Sequence, residues 1–295
     1  MNHDFLKGII APLVTPFDSE GNVDLIRAKK EIEILLDANV DAISPGGSTG
    51  EGAALTDDEL VSLIRTIRSV DKDIPVVAGI IRNSTKAAIQ TAVASKQSGA
   101  DALMITPVSY NVLVPDEEGN FRFYEEIGSH VDLPIVIYNV VPQNTINAPL
   151  FCRLLKIIQV VGIKQSVGGI QAMYEMRRYS GTEGKVFSAT DDMLYSTFDL
   201  GADGAISAIL TVFPSECVQM WNLTKAGRQQ EALALQNRMY FVWQAIAGNQ
   251  FPIRIKYALS LLGRDCGCAR SPIWHISDDD KKRIKEALYT AGFLR

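Results

Sequence analysis

Three phrases of the chain, NVDAISPGG (39–47), SGADALMITP (98–107) and LGADGAISA (200–208), repeat one design. In each phrase a helical pattern ends, a short turn follows, and a buried apolar strand begins. Units that recur in this way are typical of parallel strands joined by crossover helices. The three phrases therefore predict an α/β fold.

Outward from these phrases, the chain holds eight apolar runs of strand length, and amphipathic helical patterns separate them. The predicted strands are Ile9–Thr15, Ala42–Ser44, Val76–Gly79, Ala102–Thr106, Ile135–Tyr138, Val160–Lys164, Val186–Ser188 and Gly204–Ser207. Eight units of similar length favour closure into a (β/α)8 TIM barrel. A doubly wound open sheet is the structural alternative.

Helical patterns predict the connections between the strands and a separate region at the end of the chain. Between strands they include Val23–Asp37, Asp57–Ser69 and Thr85–Gln97, and Thr56 and Ser84 are placed to cap the last two. After about Ala226 the alternation stops, and helices are predicted at Gln229–Ala247, Ile253–Leu262 and Asp278–Ala291. We expect residues 1–225 to form the barrel that carries the active site and residues 226–295 to form a C-terminal helical region packed on it.

Composition and charge exclude several classes of protein. The chain has 295 residues, 47% of them hydrophobic, and a formal net charge of -5. Its Lys and Arg residues are dispersed, so we expect no nucleic acid partner. No apolar run approaches the roughly 20 residues of a membrane helix, and the N-terminus lacks a basic segment followed by a long apolar stretch. We expect a globular, cytoplasmic protein that does not bind membranes.

Cysteine and histidine residues predict neither a metal site nor a disulfide scaffold. The four cysteines are too few for a disulfide framework, and Cys266 and Cys268 form a single CxC pair without a second ligand pair. The three histidines are scattered, which leaves no Ser/His/Asp triad. We expect no metal and no other cofactor, so catalysis must use other side chains.

Lys164 is the strongest candidate for catalysis. It ends the apolar run Val160–Lys164, and active sites of barrels lie at the C-terminal ends of their strands. Burial without a partner disfavours a charged ammonium, and a neutral lysine amine can attack a carbonyl carbon to form a Schiff base. The alternative is a lysine that reaches the rim, or one that pairs with Asp191 or Asp192.

Tyr138 ends the preceding strand in IVIYNV, and we expect it to stand next to Lys164, about 5 Å away across one barrel step. A phenol in this place can deliver a proton to departing water and remove a proton from a hydroxyl group. The alternative is a half-buried strand aromatic with a packing role.

Three further groups of residues are predicted at the barrel mouth. Residues 45–51 follow the second strand, and their glycines let backbone amides converge on an anion while Ser48 and Thr49 add hydroxyls. A simple tight turn fits the same residues. Tyr110 follows the fourth strand and either reaches the mouth or is an exposed loop residue. The two aspartates after the seventh strand either bind substrate hydroxyls or cap the next helix.

The joint order of these motifs resembles the dihydrodipicolinate synthase and N-acetylneuraminate lyase family. GGSTGE follows strand two, a tyrosine follows strand four, YN ends strand five, GIK ends strand six and GAIS lies at strand eight. The resemblance covers nearly the whole chain, including the opening GIIAPLVTPFDSEGNVD and the helical C-terminal region. It implies a class I aldolase, which forms a Schiff base with pyruvate or another 2-oxo acid.

The resemblance also implies roles for individual residues. Lys164 attacks the 2-oxo group, Tyr138 transfers protons, and the loop of Gly47, Ser48 and Thr49 holds the carboxylate. Ser48 links Tyr138 to Tyr110, which in similar proteins enters the site of a neighbouring subunit, and Ile206 lines the pyruvate pocket through its backbone. The family is usually tetrameric, so a homotetramer, a dimer of dimers, is expected. Taken together with the residue patterns, the candidate residues are Lys164, Tyr138, Ser48 and Tyr110 for catalysis, and Gly47, Thr49, Ile206, Asp191, Asp192 and Ser207 for substrate binding.

One departure from the family bears on the substrate. The synthase branch places an arginine shortly after YN to meet the carboxylate of the second substrate, whereas this chain has Gln143 and Asn144 in YNVVPQNTI. The missing bidentate contact weakens the synthase interpretation. GGSTGE, KQS and the two consecutive aspartates lean toward the sialic acid lyase branch.

We therefore expect a lyase that cleaves or forms a carbon–carbon bond in a 2-oxo-3-deoxy sugar acid or an N-acetylneuraminate type of substrate. Its partners are then a small 2-oxo acid and an aldehyde. The first alternative is dihydrodipicolinate synthase activity, the condensation of pyruvate with aspartate semialdehyde. Dehydration or deamination of a 2-oxo acid through the same imine is another alternative, and a non-catalytic 2-oxo acid sensor is the last.

Overall fold

Parallel strands form the centre of the structure. The computed structural model describes residues 3–294, and within them eight strands belong to one sheet. The strands are β1 (Gly8–Pro12), β2 (Ala42–Ser44), β3 (Val77–Ile80), β4 (Ala102–Ile105), β5 (Ile135–Asn139), β6 (Val160–Gln165), β7 (Lys185–Ser188) and β8 (Gly204–Ala205). Their order is β2-β1-β8-β7-β6-β5-β4-β3, and a bridge from Ile43 of β2 to Val76, just before β3, joins the two edges. The sheet is therefore closed, and the predicted (β/α)8 barrel is confirmed.

Helices surround the sheet and continue beyond it. Within the described residues they are α1 (Leu25–Asp37), α2 (Asp57–Val70), α3 (Thr85–Gln97), α4 (Glu117–His130), α5 (Ala148–Leu154), α6 (Gly169–Ser180), α7 (Leu194–Asp199), α8 (Ile209–Val212), α9 (Pro214–Lys225), α10 (Gln229–Ile246), α11 (Phe251–Leu261) and α12 (Asp278–Thr290). The side chains of Thr56 and Ser84 accept backbone N–H groups in the first turns of α2 and α3. Both predicted caps are confirmed.

Three predicted strands are longer than the observed ones, β4 by one residue, and β1 and β8 by two residues each. β1 ends at Pro12 instead of Thr15, whose hydroxyl donates to the carbonyl of Gly50 at 2.6 Å. β8 ends at Ala205 instead of Ser207, whose hydroxyl donates to a carboxylate of the loop after β7. In both cases the polar residue that follows the strand bonds to a loop at the barrel mouth, so the backbone leaves the sheet earlier than its apolar pattern suggests.

The aspartate that recurs in the three repeated phrases has a structural role. Asp41, Asp101 and Asp203 each accept a backbone N–H from the start of a neighbouring strand. The donor distances are 2.7 Å for Ile9, 2.7 Å for Val76 and 2.8 Å for Val186. Two of the three carboxylates also pair with an arginine of a neighbouring helix. The repeat therefore supports the N-terminal end of the barrel, opposite the mouth.

Apolar side chains fill two layers. An outer cluster lies between the sheet and the helices, and a smaller inner cluster fills the barrel. Consecutive residues of a strand alternate between the layers, as with Met104 inside and Ile105 outside. The inner cluster consists of Leu6, Ile10, Ala42, Val77, Ala102, Met104, Val136, Tyr138, Val161, Phe187 and Ile206.

The C-terminal helices pack on one side of the barrel. α10 lies against α7 and α9, and α12 lies against α10 and α11. Arg264, which follows α11, pairs with the buried Glu31 of α1 and donates to the carbonyl of Val212 at 3.1 Å. These contacts join the region to the barrel, while a boundary at residue 226 stays a prediction. None of the helices within residues 3–294 has both the length and the apolar character of a membrane span.

Candidate active site

Side chains at the C-terminal ends of the strands converge on a cavity of about 220 Å³. The loops after β2, β5, β6, β7 and β8 contribute to its wall. Six residues predicted from the sequence line it, namely Ser48, Thr49, Tyr138, Lys164, Asp191 and Ser207. The cavity therefore brings together groups that lie far apart in the chain.

A bulge in β6 determines the direction of Lys164. β5 pairs with β6 at Val160, but the next residue of β5 pairs with Gly162, so Val161 is an extra residue in β6. The extra residue shifts the inside–outside alternation by one position, and such bulges commonly re-aim a side chain near a site. Val161 packs inside, Ile163 packs outside, and Lys164 then faces the interior. Without the bulge, the alternation that starts at Val161 would turn Lys164 outward.

Lys164 and Tyr138 are direct partners on β6 and β5. Lys164 is only 5% exposed, and its Nζ lies 3.7 Å from the centroid of the Tyr138 ring. The Tyr138 hydroxyl donates to Ser48 Oγ at 3.0 Å. Among residues 3–294 no salt bridge involves Lys164. The amine is thus neither at the solvent rim nor held in an ion pair, which were the alternatives that the sequence left open.

The loop after β2, residues 45–55, presents free backbone donors beside the cavity. The carbonyl of Gly47 accepts N–H groups of two later glycines of the loop, at 3.1 and 2.9 Å. Within the described chain, no acceptor is found for the N–H groups of Ser48 and Thr49. Both residues line the cavity. Their N–H groups can therefore donate to a bound carboxylate.

Asp191 is the acidic group of the cavity. Its Oδ1 accepts hydrogen bonds from the hydroxyl of Ser207 and from the backbone N–H of Ile209, the latter at 2.7 Å. Burial raises the pKa of Asp191 to about 6, although these hydrogen bonds and the positive charge of Lys164 oppose the shift. The carboxyl group is therefore ionised at neutral pH at an energetic cost.

Asp192 is held by α10 and does not line the cavity. Gln236 donates to its backbone carbonyl at 2.6 Å, and Gln244 donates to its Oδ2 at 3.1 Å. The N-terminus of α7 has no side-chain cap. Neither Asp191 nor Asp192 therefore caps the helix that follows them, the alternative role considered from the sequence.

Besides Asp192, three predicted site residues lie outside the cavity lining. Tyr110 is 59% exposed, and its backbone N–H donates to Asn83 Oδ1 at 2.9 Å. Within the described residues of this single chain, its hydroxyl makes no hydrogen bond to Ser48, so only the Tyr138 half of the expected link is present. Ile206 is fully buried in the inner cluster, and Gly47 contributes its carbonyl to the loop.

Six other lining residues were missed from the sequence. They are Val140, Ser166, Ala189, Ala208, Trp243 and Phe251. Ser166 Oγ is buried without a hydrogen-bond partner in the described chain, and its place two residues after Lys164 was a usable signal. Trp243 belongs to α10 and Phe251 begins α11. No local pattern connects these helices to the strand ends.

Gln143 and Asn144, at the place where the synthase branch has its arginine, do not line the cavity. Asn144 is buried, donates to the carbonyl of Val108 at 2.9 Å and exchanges hydrogen bonds with Asn120. Gln143 is exposed and donates to the carbonyl of Ser109 at 2.5 Å. Lys164 is the only cationic residue among the described residues that line the cavity.

Metal-ligating side chains do not cluster in the described part of the chain. Between residues 3 and 294, no three His, Cys, Asp or Glu side chains are grouped as metal ligands. Cys266 is buried, and burial together with the nearby Glu31 raises the pKa of its thiol, whereas Cys268 is exposed. The two cysteines of the CxC pair thus have different surroundings.

Comparison with known proteins identifies the family. The family model for the dihydrodipicolinate synthetase family matches residues 5–291. The 4-hydroxy-tetrahydrodipicolinate synthase of Bartonella henselae is 32% identical, over 98% of this chain and 99% of that protein. The synthase of that name from Archaeoglobus fulgidus is 31% identical, over 96% and 97%. The crystal structure of the chloride-inhibited dihydrodipicolinate synthase from Acinetobacter baumannii complexed with pyruvate superposes with a TM-score of 0.92, at 30% identity, over 98% of this chain and all of that one. The chain therefore belongs to the dihydrodipicolinate synthetase family.

Proposed function

We propose that this protein is a class I aldolase in which Lys164 forms a Schiff base with pyruvate or a related 2-oxo acid. The observation that carries the proposal is the buried Lys164 amine, 3.7 Å from the centroid of the Tyr138 ring and free of any ion pair within the described chain. The unpaired N–H groups of Ser48 and Thr49 support a bound carboxylate beside it. The complex of the Acinetobacter baumannii synthase with pyruvate supports the same ligand.

The reaction begins at the amine of Lys164. Its nitrogen attacks C2 of the 2-oxo acid, and one proton passes from nitrogen to oxygen to give a carbinolamine. Protonation of that hydroxyl releases water and leaves a protonated imine. Loss of a proton from C3 gives an enamine, whose C3 attacks an aldehyde carbon while the aldehyde oxygen takes up a proton. Water then hydrolyses the imine and frees the amine, and cleavage follows the same steps in reverse.

Tyr138 is proposed as the proton carrier for these steps. Its hydroxyl is bonded to Ser48 Oγ, and its ring contacts the amine that bears the imine. A general acid or base must lie within hydrogen-bond reach of the atom that it serves, and a residue directly paired with Lys164 meets that requirement. Ser48 can hold the phenol in place and exchange a proton with it.

Aspartate semialdehyde is the second substrate that the comparisons favour. The relatives described above are named as 4-hydroxy-tetrahydrodipicolinate synthases and match nearly the full chain at 31% and 32% identity. In this interpretation the protein condenses pyruvate with aspartate semialdehyde. The relatives support it more strongly than the sugar acid lyase reaction that the sequence motifs favoured.

The cavity gives a specific reason to keep a second candidate. An aldehyde with its own carboxylate would meet the negative charge of Asp191, and no arginine of the described residues lines the cavity to bind that carboxylate. Lys164, the only cationic residue of this lining, is already bonded to the 2-oxo acid in the imine. The unpaired Ser166 hydroxyl suits a hydroxyl group, and Trp243 and Phe251 offer apolar faces to carbon-bound hydrogens. These features support a hydroxylated aldehyde, as released from a 2-oxo-3-deoxy sugar acid or from N-acetylneuraminate.

Turnover assays separate the two candidates. Pyruvate consumption is measured with aspartate semialdehyde, and pyruvate release is measured with a panel of 2-oxo-3-deoxy sugar acids and N-acetylneuraminate. Activity is expected with one class and must disappear in Lys164→Ala. Gln143→Arg is a useful second variant, because a synthase that lacks only its carboxylate contact should gain turnover with aspartate semialdehyde.

If no compound is turned over, the melting temperature in the presence of 2-oxo acids decides between an enzyme and a sensor. If 2-oxo acids then still raised the melting temperature, and did so equally in Lys164→Ala, a reversible 2-oxo acid sensor would replace the aldolase. A raised melting temperature only in the wild type would instead retain the Schiff base and point to an untested aldehyde.

The assembly and the cellular location stay predictions. The exposed loop residues Tyr110, Val112 and Leu113 form an apolar group beside the mouth, which supports the proposed homotetramer in which Tyr110 enters a neighbouring site. Sedimentation of the wild type and of Leu113→Asp measures the assembly. The expected cytoplasmic location can be tested by fractionation of cells that produce the protein.

A further inference from the structure

A buried ion pair joins the loop 45–55 to the C-terminal helical region. Lys256 of α11 places its Nζ 2.7 Å from Oε1 of Glu51, and the two side chains are 2% and 4% exposed. The second oxygen of Glu51 accepts the backbone N–H of Arg270 at 2.8 Å. Lys256 and Arg270 follow Glu51 by 205 and 219 residues. A distant part of the chain therefore holds this side chain.

Glu51 is directly linked to the donors of the candidate carboxylate site. It ends the GGSTGE motif with a φ of +54°, in the left-handed region that residues with a side chain rarely adopt. Its own N–H donates to the carbonyl of Ser48 at 3.1 Å. The contacts of the Glu51 side chain with Lys256 and the Arg270 N–H, here called the tether, thus fix the backbone around Ser48 and Thr49. In a mobile loop the position of this backbone would vary.

The cations of this tether share one aromatic ring. Lys256 Nζ lies 4.5 Å and the Arg270 guanidinium lies 4.3 Å from the centroid of the Phe17 ring. Arg270 also donates to the carbonyl of Ala54, near the end of the loop, at 2.6 Å. The loop is consequently held at Glu51 and at Ala54 by residues that come after the barrel.

The ion pair is poorly explained by stability alone. Two buried charges are seldom more stabilising than apolar side chains of the same size, whereas loss of one partner leaves the other charge uncompensated. Burial lowers the pKa of Lys256, and the Glu51 carboxylate opposes that shift. The position that the pair imposes on the loop is therefore the more direct reason for its presence.

We infer that Glu51 and Lys256 are a positioning pair that holds the Ser48 and Thr49 N–H groups in the geometry that binds the carboxylate of the 2-oxo acid. The inference rests on the proposed function for the identity of the ligand. Neither Glu51 nor Lys256 lines the cavity, so neither charged group touches the reacting atoms. Both residues therefore act through the loop. The C-terminal helical region thereby contributes to the affinity for the first substrate.

The double variant Glu51→Gln with Lys256→Met tests the inference, because it removes both charges and leaves no uncompensated ion. A matched control is Glu31→Gln with Arg264→Met. That ion pair also joins the barrel to the C-terminal region, its side chains are 4% and 10% exposed, and it has no hydrogen bond to residues 45–55 in the described chain.

Two readouts are compared between the double variants. The first is the pyruvate concentration that gives half-maximal borohydride trapping of Lys164, and the second is hydrogen–deuterium exchange of the peptide that covers residues 45–55. For the Glu51 and Lys256 variant we expect half-saturation to rise about tenfold, with little change in the rate at saturation, and exchange of the loop to accelerate. The control should keep wild-type values of both while losing a similar amount of thermal stability.

Equal half-saturation and equal loop exchange in the two double variants would overturn the inference. Failure of the wild type to be trapped at any pyruvate concentration would count against the proposed function, and loop exchange alone would then decide whether the tether exists. Should the double variant not fold, Glu51→Asp gives the comparison, because it keeps the negative charge and shortens the side chain by one methylene, so that the carboxylate no longer reaches Lys256 and the Arg270 N–H in the observed geometry.

Discussion

The Nζ of Lys164 lies 3.7 Å from the centroid of the Tyr138 ring, and the two residues face each other across the β5–β6 ladder. Because both side chains belong to residues of paired strands, the register of the barrel sets their separation, which does not depend on a flexible loop. The Tyr138 hydroxyl, in turn, is oriented by Ser48. An amine, a phenol and a hydroxyl are therefore preorganised before any substrate binds.

Tyr138→Phe separates the packing role of this residue from its chemical role. The phenylalanine keeps the ring against Lys164 and loses the hydrogen bond to Ser48, so stability should change by roughly 1 kcal/mol or less. The turnover number should fall about 10²- to 10⁴-fold, because proton transfer loses its carrier. Steady-state kinetics and thermal unfolding of one preparation measure both effects. A variant with undiminished turnover would assign Tyr138 to packing only.

Asp191→Asn should change stability in a pH-dependent way. Burial raises the pKa of Asp191 from 3.8 to about 6, so the folded protein holds this proton more tightly than the unfolded chain. Stability from this group is therefore complete at low pH and is lost as pH rises through about 4 to 6. Asparagine retains Oδ1 as an acceptor for Ser207 and Ile209 and never ionises.

The asparagine variant should match the wild type below about pH 4 and exceed it at neutral pH by on the order of 3 kcal/mol. Denaturant unfolding at a series of pH values gives the difference directly. A gap between the two proteins that is the same at every pH would argue against a buried, ionised Asp191.

Asp101→Ala tests the structural role of the repeated aspartate. The substitution leaves the Val76 N–H without its acceptor and Arg68 without its partner carboxylate. We expect a loss of about 1–3 kcal/mol in the free energy of unfolding, with turnover unchanged because the site lies at the other end of the barrel. Asp132→Ala, at an exposed position, is the control and should change stability by less than about 0.5 kcal/mol.

Trp243→Ala tests whether α10 forms the aldehyde end of the cavity. We expect the KM for the aldehyde to rise about tenfold through loss of apolar contact, while half-saturation by pyruvate stays the same. Phe241→Ala on the same helix is the matched control, since Phe241 is 66% exposed and does not line the cavity. Equal kinetic effects of the two substitutions would remove Trp243 from the substrate site.

Much of the fold was predictable because its signals are local. Short apolar runs mark the strands, and Thr56 and Ser84 mark helix starts with side chains that cap them. Lys164 and Tyr138 were recognisable as site residues because each is a polar residue at the end of an apolar strand. The predicted ends of β1 and β8 were wrong by two or three residues, since the hydrogen bonds that end them come from distant loops.

The inward direction of Lys164 was predicted, but the bulge that produces it was not. In the segment Val160–Gln165, strict alternation from an inward Val161 gives an outward lysine, and only the pairing with β5 reveals the bulge that reverses it. Trp243 and the tether between Glu51 and Lys256 were missed for a related reason. Each depends on contacts between residues far apart in the chain, which leave no periodic trace in either partner.

Borohydride reduction in the presence of pyruvate, followed by peptide mass spectrometry, tests the central claim most directly. We predict one reduced pyruvyl group on the peptide that contains Lys164 and none in Lys164→Ala. An unmodified Lys164 at saturating pyruvate, or an adduct on another lysine instead, would contradict the account.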